Sequence, residues 1–245
     1  MNQSELLPYV CGKIDGACIE TDPFPHLIIP DFWPAWFYTL MAEDLPTGDA
    51  WKSRGTYGGG KTLMASYPDM SPYWHRVFDI FESDAFMACL SAKWRVEPGV
   101  SRCLLHKDLP GYGISPHTDA LSKRIAYVCY CPQPTDSAWM HTRCHYLGTH
   151  LVTPLNPTVS AQWGDAHQPW YHFTVAKTIP YQDNTFVSWP RSDHSYHAVD
   201  NHILPSSPIE ARYAVRGFVF DPDAPLPFIF QEDESERLYE NRCYR

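Results

Sequence analysis

Basic residues are scarce in this sequence. Lysine and arginine number 19 against 28 aspartates and glutamates, a formal charge of −9. That balance argues against non-specific attraction to nucleic acid or to an anionic membrane surface. Glycine is sparse too, at 13 residues against 23 prolines. This ratio disfavours a helical bundle and favours short strands joined by proline-bearing turns. The 8 cysteines include no C-x-x-C pair, which argues against a structural zinc site. No apolar run is long enough to cross a bilayer. Met1 to Glu5 lack the positive region and apolar stretch of a secretory signal, so a cytoplasmic protein with reduced thiols is expected. There is no internal repeat and no low-complexity linker.

The 245 residues, 44% of them hydrophobic, suffice for one sizeable core. A single domain over 1–245 is expected: mixed helical support in 1–99, a strand-rich core in 100–222 and a tail from 223 to 245. Apolar spacings of three and four predict helix from Pro34 to Leu45 and again across Pro72 to Trp94. A short strand is predicted within Pro23–Pro30. Gly55 to Lys61 lacks the spacing of a phosphate loop and reads as a loop. From Val100 onward, six short β-branched or aromatic segments are bounded by turn residues, the pattern of a double-sheet β structure such as a jelly roll. Cys129 and Cys131 share one face of a strand and read as small core residues.

The chemistry concentrates in Gly113-Ile-Ser-Pro-His117-Thr-Asp119. A histidine and an aspartate two apart on a strand share a face, so both can reach one metal. A distant histidine would complete a two-His-one-carboxylate triad, which leaves open positions on Fe(II). His194, His197 and His202 are the candidates. His197 shares a face with Val199 at a strand start, whereas His194 reads as a loop residue and His202 as solvent-facing. A second H-x-D, His106-Lys-Asp108, reads as a strand histidine followed by a surface aspartate at a turn. Arg212, Ala214 and Arg216 alternate onto one face of the last strong strand. An inward arginine there calls for an anion, and alternation leaves both arginines open.

In this order the motifs resemble the Fe(II)/2-oxoglutarate-dependent oxygenase superfamily, in its prolyl-4-hydroxylase-like branch. Pro23 to Phe32, Gly111 to Lys123, Gly148-Thr-His-Leu151, Asn184 to Val199 and Arg212 to Phe218 carry the resemblance. It implies a distorted double-stranded β-helix, mainly β with N-terminal helices, and iron held by His117, Asp119 and His197. It selects Arg212 as the anchor of 2-oxoglutarate, with Ala214 and Tyr130 beside it, and frees Arg216 for a structural or substrate role. Arg102, Trp163 and Arg191 are further candidate substrate contacts.

The implied activity is oxidation of a small molecule, such as an amino acid or natural-product intermediate, using O2. It is coupled to decarboxylation of 2-oxoglutarate to succinate and CO2. Hydroxylation leads, because halogenating relatives lack the carboxylate that Asp119 supplies. Desaturation and cyclisation remain open, as do a non-catalytic cupin-like metal-binding protein and a metal hydrolase. A monomer or homodimer is expected.

Overall fold

A computed structural model describes residues 3–57, 60–65, 67–131, 148–160, 166–200 and 211–225. Its helices are α1 (Leu6–Gly16), α2 (Ala35–Glu43), α3 (Pro72–Phe81) and α4 (Asp84–Trp94). Three strands accompany them: β1 (Leu27–Ile29), β2 (Trp51–Tyr57) and β3 (Gly60–Ala65). Eight more follow: β4 (Val100–Asp108), β5 (Ile114–His117), β6 (Lys123–Tyr130), β7 (Thr149–Pro154), β8 (Phe173–Ile179), β9 (Phe186–Pro190), β10 (His197–Val199) and β11 (Arg212–Phe220).

The strands build two antiparallel sheets. One runs β1-β9-β6-β11-β4-β3-β2 and the other β5-β10-β7-β8. From β4 onward the chain passes back and forth between the sheets, only β7 and β8 being consecutive in one sheet, and its last strand pairs with its first along nine positions. This is the winding of a double-stranded β-helix, the fold class that the strand spacing and the resemblance both predict.

Side-chain alternation on the central strand divides the core. Tyr213, Val215 and Val219 of β11 point to the helices, joining Leu6, Val10, Phe37, Phe81 and Phe86. Ala214, on the opposite face, packs with Ala126, Tyr130, Val187 and Trp189, and with Leu151 and Ile179 of the smaller sheet. The site is built in that second layer.

The helical stretch predicted over Pro72–Trp94 is two helices. The Ser83 hydroxyl accepts from the Phe86 amide at 3.1 Å and caps α4, which breaks the run at Glu82. Within the stretch expected as a loop, Gly55–Tyr57 end β2 and Gly60 and Lys61 open β3, and the two strands pair and extend the large sheet through β3 and β4. Backbone bonds there outweigh the weak strand preference of Gly55 and Gly60. No described helix is long and apolar enough to cross a membrane. The 231–245 tail, His202 and Trp163 lie outside the described residues.

Candidate metal centre and its charged annex

His117 ends β5 and His197 opens β10, and the two are direct cross-strand partners. Asp119 follows β5 by two residues. One ligand atom from each of these three lies within 4.8 Å of the others. His194, the neighbouring candidate, is exposed and is not part of this cluster.

Each imidazole is held from behind. His117 Nδ1 sits 2.9 Å from the Ser115 carbonyl, and His197 Nδ1 sits 3.0 Å from the Ser195 carbonyl. A carbonyl only accepts, so each Nδ1 carries the proton and each Nε2 keeps its lone pair for a metal. Burial, followed by the neighbouring His197, pushes His117 down to about 3. Burial lowers His197 as well, although Asp119 opposes it. Both rings are therefore neutral near pH 7, the form that ligates.

Asp119 is almost wholly buried, and burial alone would raise its carboxyl. The Lys123 ammonium, 2.7 Å from Oδ1, and the two imidazoles reverse this and hold it well below the usual carboxylate range. Trp189 Nε1 donates to Oδ2 at 3.3 Å. Lys123 also rests 3.5 Å from the centroid of the Phe218 ring. Two imidazoles and one carboxylate suit Fe(II) and leave positions free for other ligands, so the donor set fits the ion that the resemblance implies.

Strand register orders the wall beneath this centre. Trp189, Ala126, Phe218 and Arg102 form one cross-strand row. Val187, Val128, Arg216 and Leu104 form the next. Tyr130, Ala214 and His106 follow, and then Arg212 with Asp108 and Thr62.

Asp108 corrects the sequence reading. It is a fully buried inner-wall residue rather than a surface turn residue. β4 continues as strand to Asp108, which points inward beside β11. Its Oδ2 accepts from Arg212 Nε at 3.0 Å and Nη2 at 2.9 Å, and from Arg216 Nη2. Its Oδ1 accepts from the Thr62 hydroxyl at 2.8 Å. Burial would raise Asp108, but Arg216 and Arg212 hold it below the ordinary range. His106 is pushed well below its ordinary value by burial and then by Arg216, so it is neutral. Tyr112 accepts from Arg216 Nη1 at 2.8 Å, and burial pushes its hydroxyl up to about 12.

Two guanidiniums therefore share one carboxylate, and among the described residues the enclosed group carries a net charge of +1. A single anionic carboxylate would balance it. Arg212 is the deeper arginine and reaches the Gly148 carbonyl at 3.5 Å. Beside it, the Tyr130 and Thr149 hydroxyls bond at 2.7 Å. Gly148 has to be glycine, since a Cβ there would lie 1.7 Å from the Ile179 carbonyl oxygen. Arg212, Tyr130 and Thr149 fit the distal carboxylate of 2-oxoglutarate, with Ala214 as a small neighbour.

Among the remaining candidates, Arg191 donates to the Asp119 carbonyl at 3.2 Å and pairs with Asp193, which places it beside the metal centre. Arg102 is in the Phe218 row, but its described hydrogen bond is to the Ser101 carbonyl. Sequence reasoning missed Asp108, Thr62, Tyr112 and Thr149. His167, a histidine with no partner at ligand spacing in the sequence and expected to be structural or to contact substrate, stacks its exposed ring on His117 at 4.4 Å and 10°.

The buried carboxylates make stability depend on pH. Asp108 and Asp119 titrate below the roughly 3.9 of an unfolded aspartate, so each stabilises fully above that value. The contribution is lost as pH falls through the folded-state values. Thermal unfolding of Asp108→Asn should show a shallower acid-side decline than the parent below about pH 5. Identical slopes would mean that Asp108 is not ionised in the fold.

No family model matches the chain, and no curated protein matches it. Among solved structures it is similar to prolyl hydroxylases. A Pseudomonas putida prolyl-4-hydroxylase shares 12% identity at a TM-score of 0.49, over 91% of this chain and 95% of that one. A Trichoplax adhaerens prolyl hydroxylase, in complex with a hypoxia inducible factor oxygen degradation domain peptide fragment, shares 12% identity at a TM-score of 0.47, over 89% and 90%.

Proposed function

We propose that the chain is a non-haem Fe(II)- and 2-oxoglutarate-dependent oxygenase acting on a small molecule, with hydroxylation as its reaction. The observation that supports this most is the pairing of His117 with His197 across β5 and β10, with both Nδ1 atoms tied to backbone carbonyls and Asp119 beside both rings. A metal hydrolase would share that triad, but the buried group of two arginines on one aspartate gives a dicarboxylate cosubstrate a place to bind. A cupin-like binding protein has no need of both features.

Bound Fe(II) with 2-oxoglutarate supplies the dioxygen activation that oxidises a C–H bond while releasing succinate and CO2. The residues of this chain do the rest. His117, Asp119 and His197 hold the ion on one side and leave its other positions open. Lys123 and Trp189 fix the Asp119 carboxylate, which keeps it ionised and oriented. Arg212, with Tyr130 and Thr149, binds the distal carboxylate and so sets the cosubstrate's direction toward the metal. Arg191 is a candidate substrate contact, because Nη2 has no partner among the described residues.

The test is succinate formation with Fe(II), 2-oxoglutarate, O2 and a metabolite panel, read with product mass. A substrate-dependent rise in succinate with a product heavier by one oxygen atom is expected. Loss of two hydrogens would instead assign desaturation or cyclisation. Failure of 2-oxoglutarate to bind the metal-loaded protein by calorimetry would overturn the reading and leave a cupin-like metal-binding protein.

A further inference from the structure

On the helical side, away from the metal centre, two cysteines meet. Cys11 lies on α1 and Cys89 on α4, 78 residues apart in sequence. The Cys89 thiol donates to the Cys11 carbonyl oxygen at 3.5 Å, which brings its sulfur beside the Cys11 residue. Both are partly exposed and line one open cleft of about 940 Å³, together with Asp15, Lys93 and Arg95. α1 and α4 pack against each other there. Leu6, Val10 and Ile14 of α1 are fully buried, and Lys93 Nζ donates to the Asp15 and Ala17 carbonyls at 2.7 and 2.6 Å.

We infer that Cys11 and Cys89 form a reversible disulfide site that exchanges with small disulfides such as glutathione disulfide. Proximity and access make the pair reactive, and the two thiols are not equivalent. The Cys89 thiol keeps its proton on the Cys11 carbonyl, so Cys11 is the attacking thiol and Cys89 the resolving one. The neighbouring Cys89 thiol also holds Cys11 below its ordinary value, while Cys11 and then burial push Cys89 up. Cys103, Cys129 and Cys131 are buried, and burial pushes all three thiols up, so they stay out of the exchange.

The steps balance. Cys11 thiolate attacks one sulfur of glutathione disulfide, forming a Cys11–glutathione mixed disulfide and releasing one glutathione thiolate. Cys89 loses its proton and attacks the Cys11 sulfur, forming the Cys11–Cys89 bond and releasing the second glutathione. Two protein thiols are oxidised by two electrons, and one glutathione disulfide is reduced to two glutathiones.

The experiment incubates the full chain with glutathione disulfide, alkylates the remaining thiols and maps peptides by mass spectrometry. A dithiothreitol-sensitive Cys11–Cys89 cross-link is expected. Serine variants assign the roles: Cys89→Ser should trap glutathione on Cys11, whereas Cys11→Ser should leave Cys89 free to alkylate. Exposed Cys18 is the internal control. If Cys11 and Cys89 stay alkylatable under conditions that modify Cys18, or if Cys11 bridges to Cys18, the inference is overturned.

Discussion

Replacing His197 with alanine is expected to abolish iron-dependent turnover. Iron affinity should fall by more than the roughly 10- to 100-fold typical of losing an outer partner of a metal ligand. The proposed centre has three protein donors, and removing one would leave His117 and Asp119 to hold the ion alone. Among the described residues, no nearby ring replaces it cheaply. His194 is on the exposed turn before Ser195, and His167 already stacks on His117. The flanking Trp189 ring, 4.6 Å from His197, cannot ligate. His117→Ala and Asp119→Ala should behave alike, and His194→Ala should bind iron as the parent does. Metal content after dialysis, with circular dichroism to verify folding, decides the matter. Full iron occupancy in a folded His197→Ala protein would rule out its role as a ligand.

Arg212→Ala should raise the apparent 2-oxoglutarate constant about 30-fold or more. Truncating one partner of a buried hydrogen-bonded charge pair costs about 2–5 kcal/mol, and about 1.4 kcal/mol is tenfold. Arg216→Ala should change that constant much less, because Arg216 is committed to Asp108 and Tyr112 and is two rows nearer the metal. Asp108→Ala should read out differently. It leaves two enclosed guanidiniums without their carboxylate, and breaking a buried pair typically destabilises a fold by about 3–5 kcal/mol. Titration of 2-oxoglutarate and urea unfolding on all three variants separate anchoring from folding. A larger titration effect at Arg216 than at Arg212 would exchange their roles.

The sequence made one face of this wall legible and hid the other. Arg212, Ala214 and Arg216 alternate within β11, so their common face follows from a period of two. His117 and Asp119 were legible as an H-x-D pair, although only His117 is in β5 and Asp119 lies just beyond the strand's end rather than on its face. Asp108 was not, because what makes it an inner-wall residue is strand pairing with partners 104 and 108 residues later. Locally it precedes Leu-Pro-Gly and looks like the start of a turn. Thr149 and Tyr112 were hidden likewise, since their partners come from other strands. The pairing of β2 with β3 was missed because glycine content hid a register that β3 takes from its neighbours β2 and β4.

β10 is only three residues long, and β5 only four. So short a pair holds few backbone bonds, yet it carries both histidines opposite one another. An ion bridging them would act as a clasp, joining positions 80 residues apart on strands too brief to hold register well alone. Because only the paired form offers both nitrogens, ion uptake and strand docking become one equilibrium. Free metal at 1,000 times its dissociation constant would then add about 4 kcal/mol to folding. Stripped of such an ion, the chain would lose durability as well as a ligand.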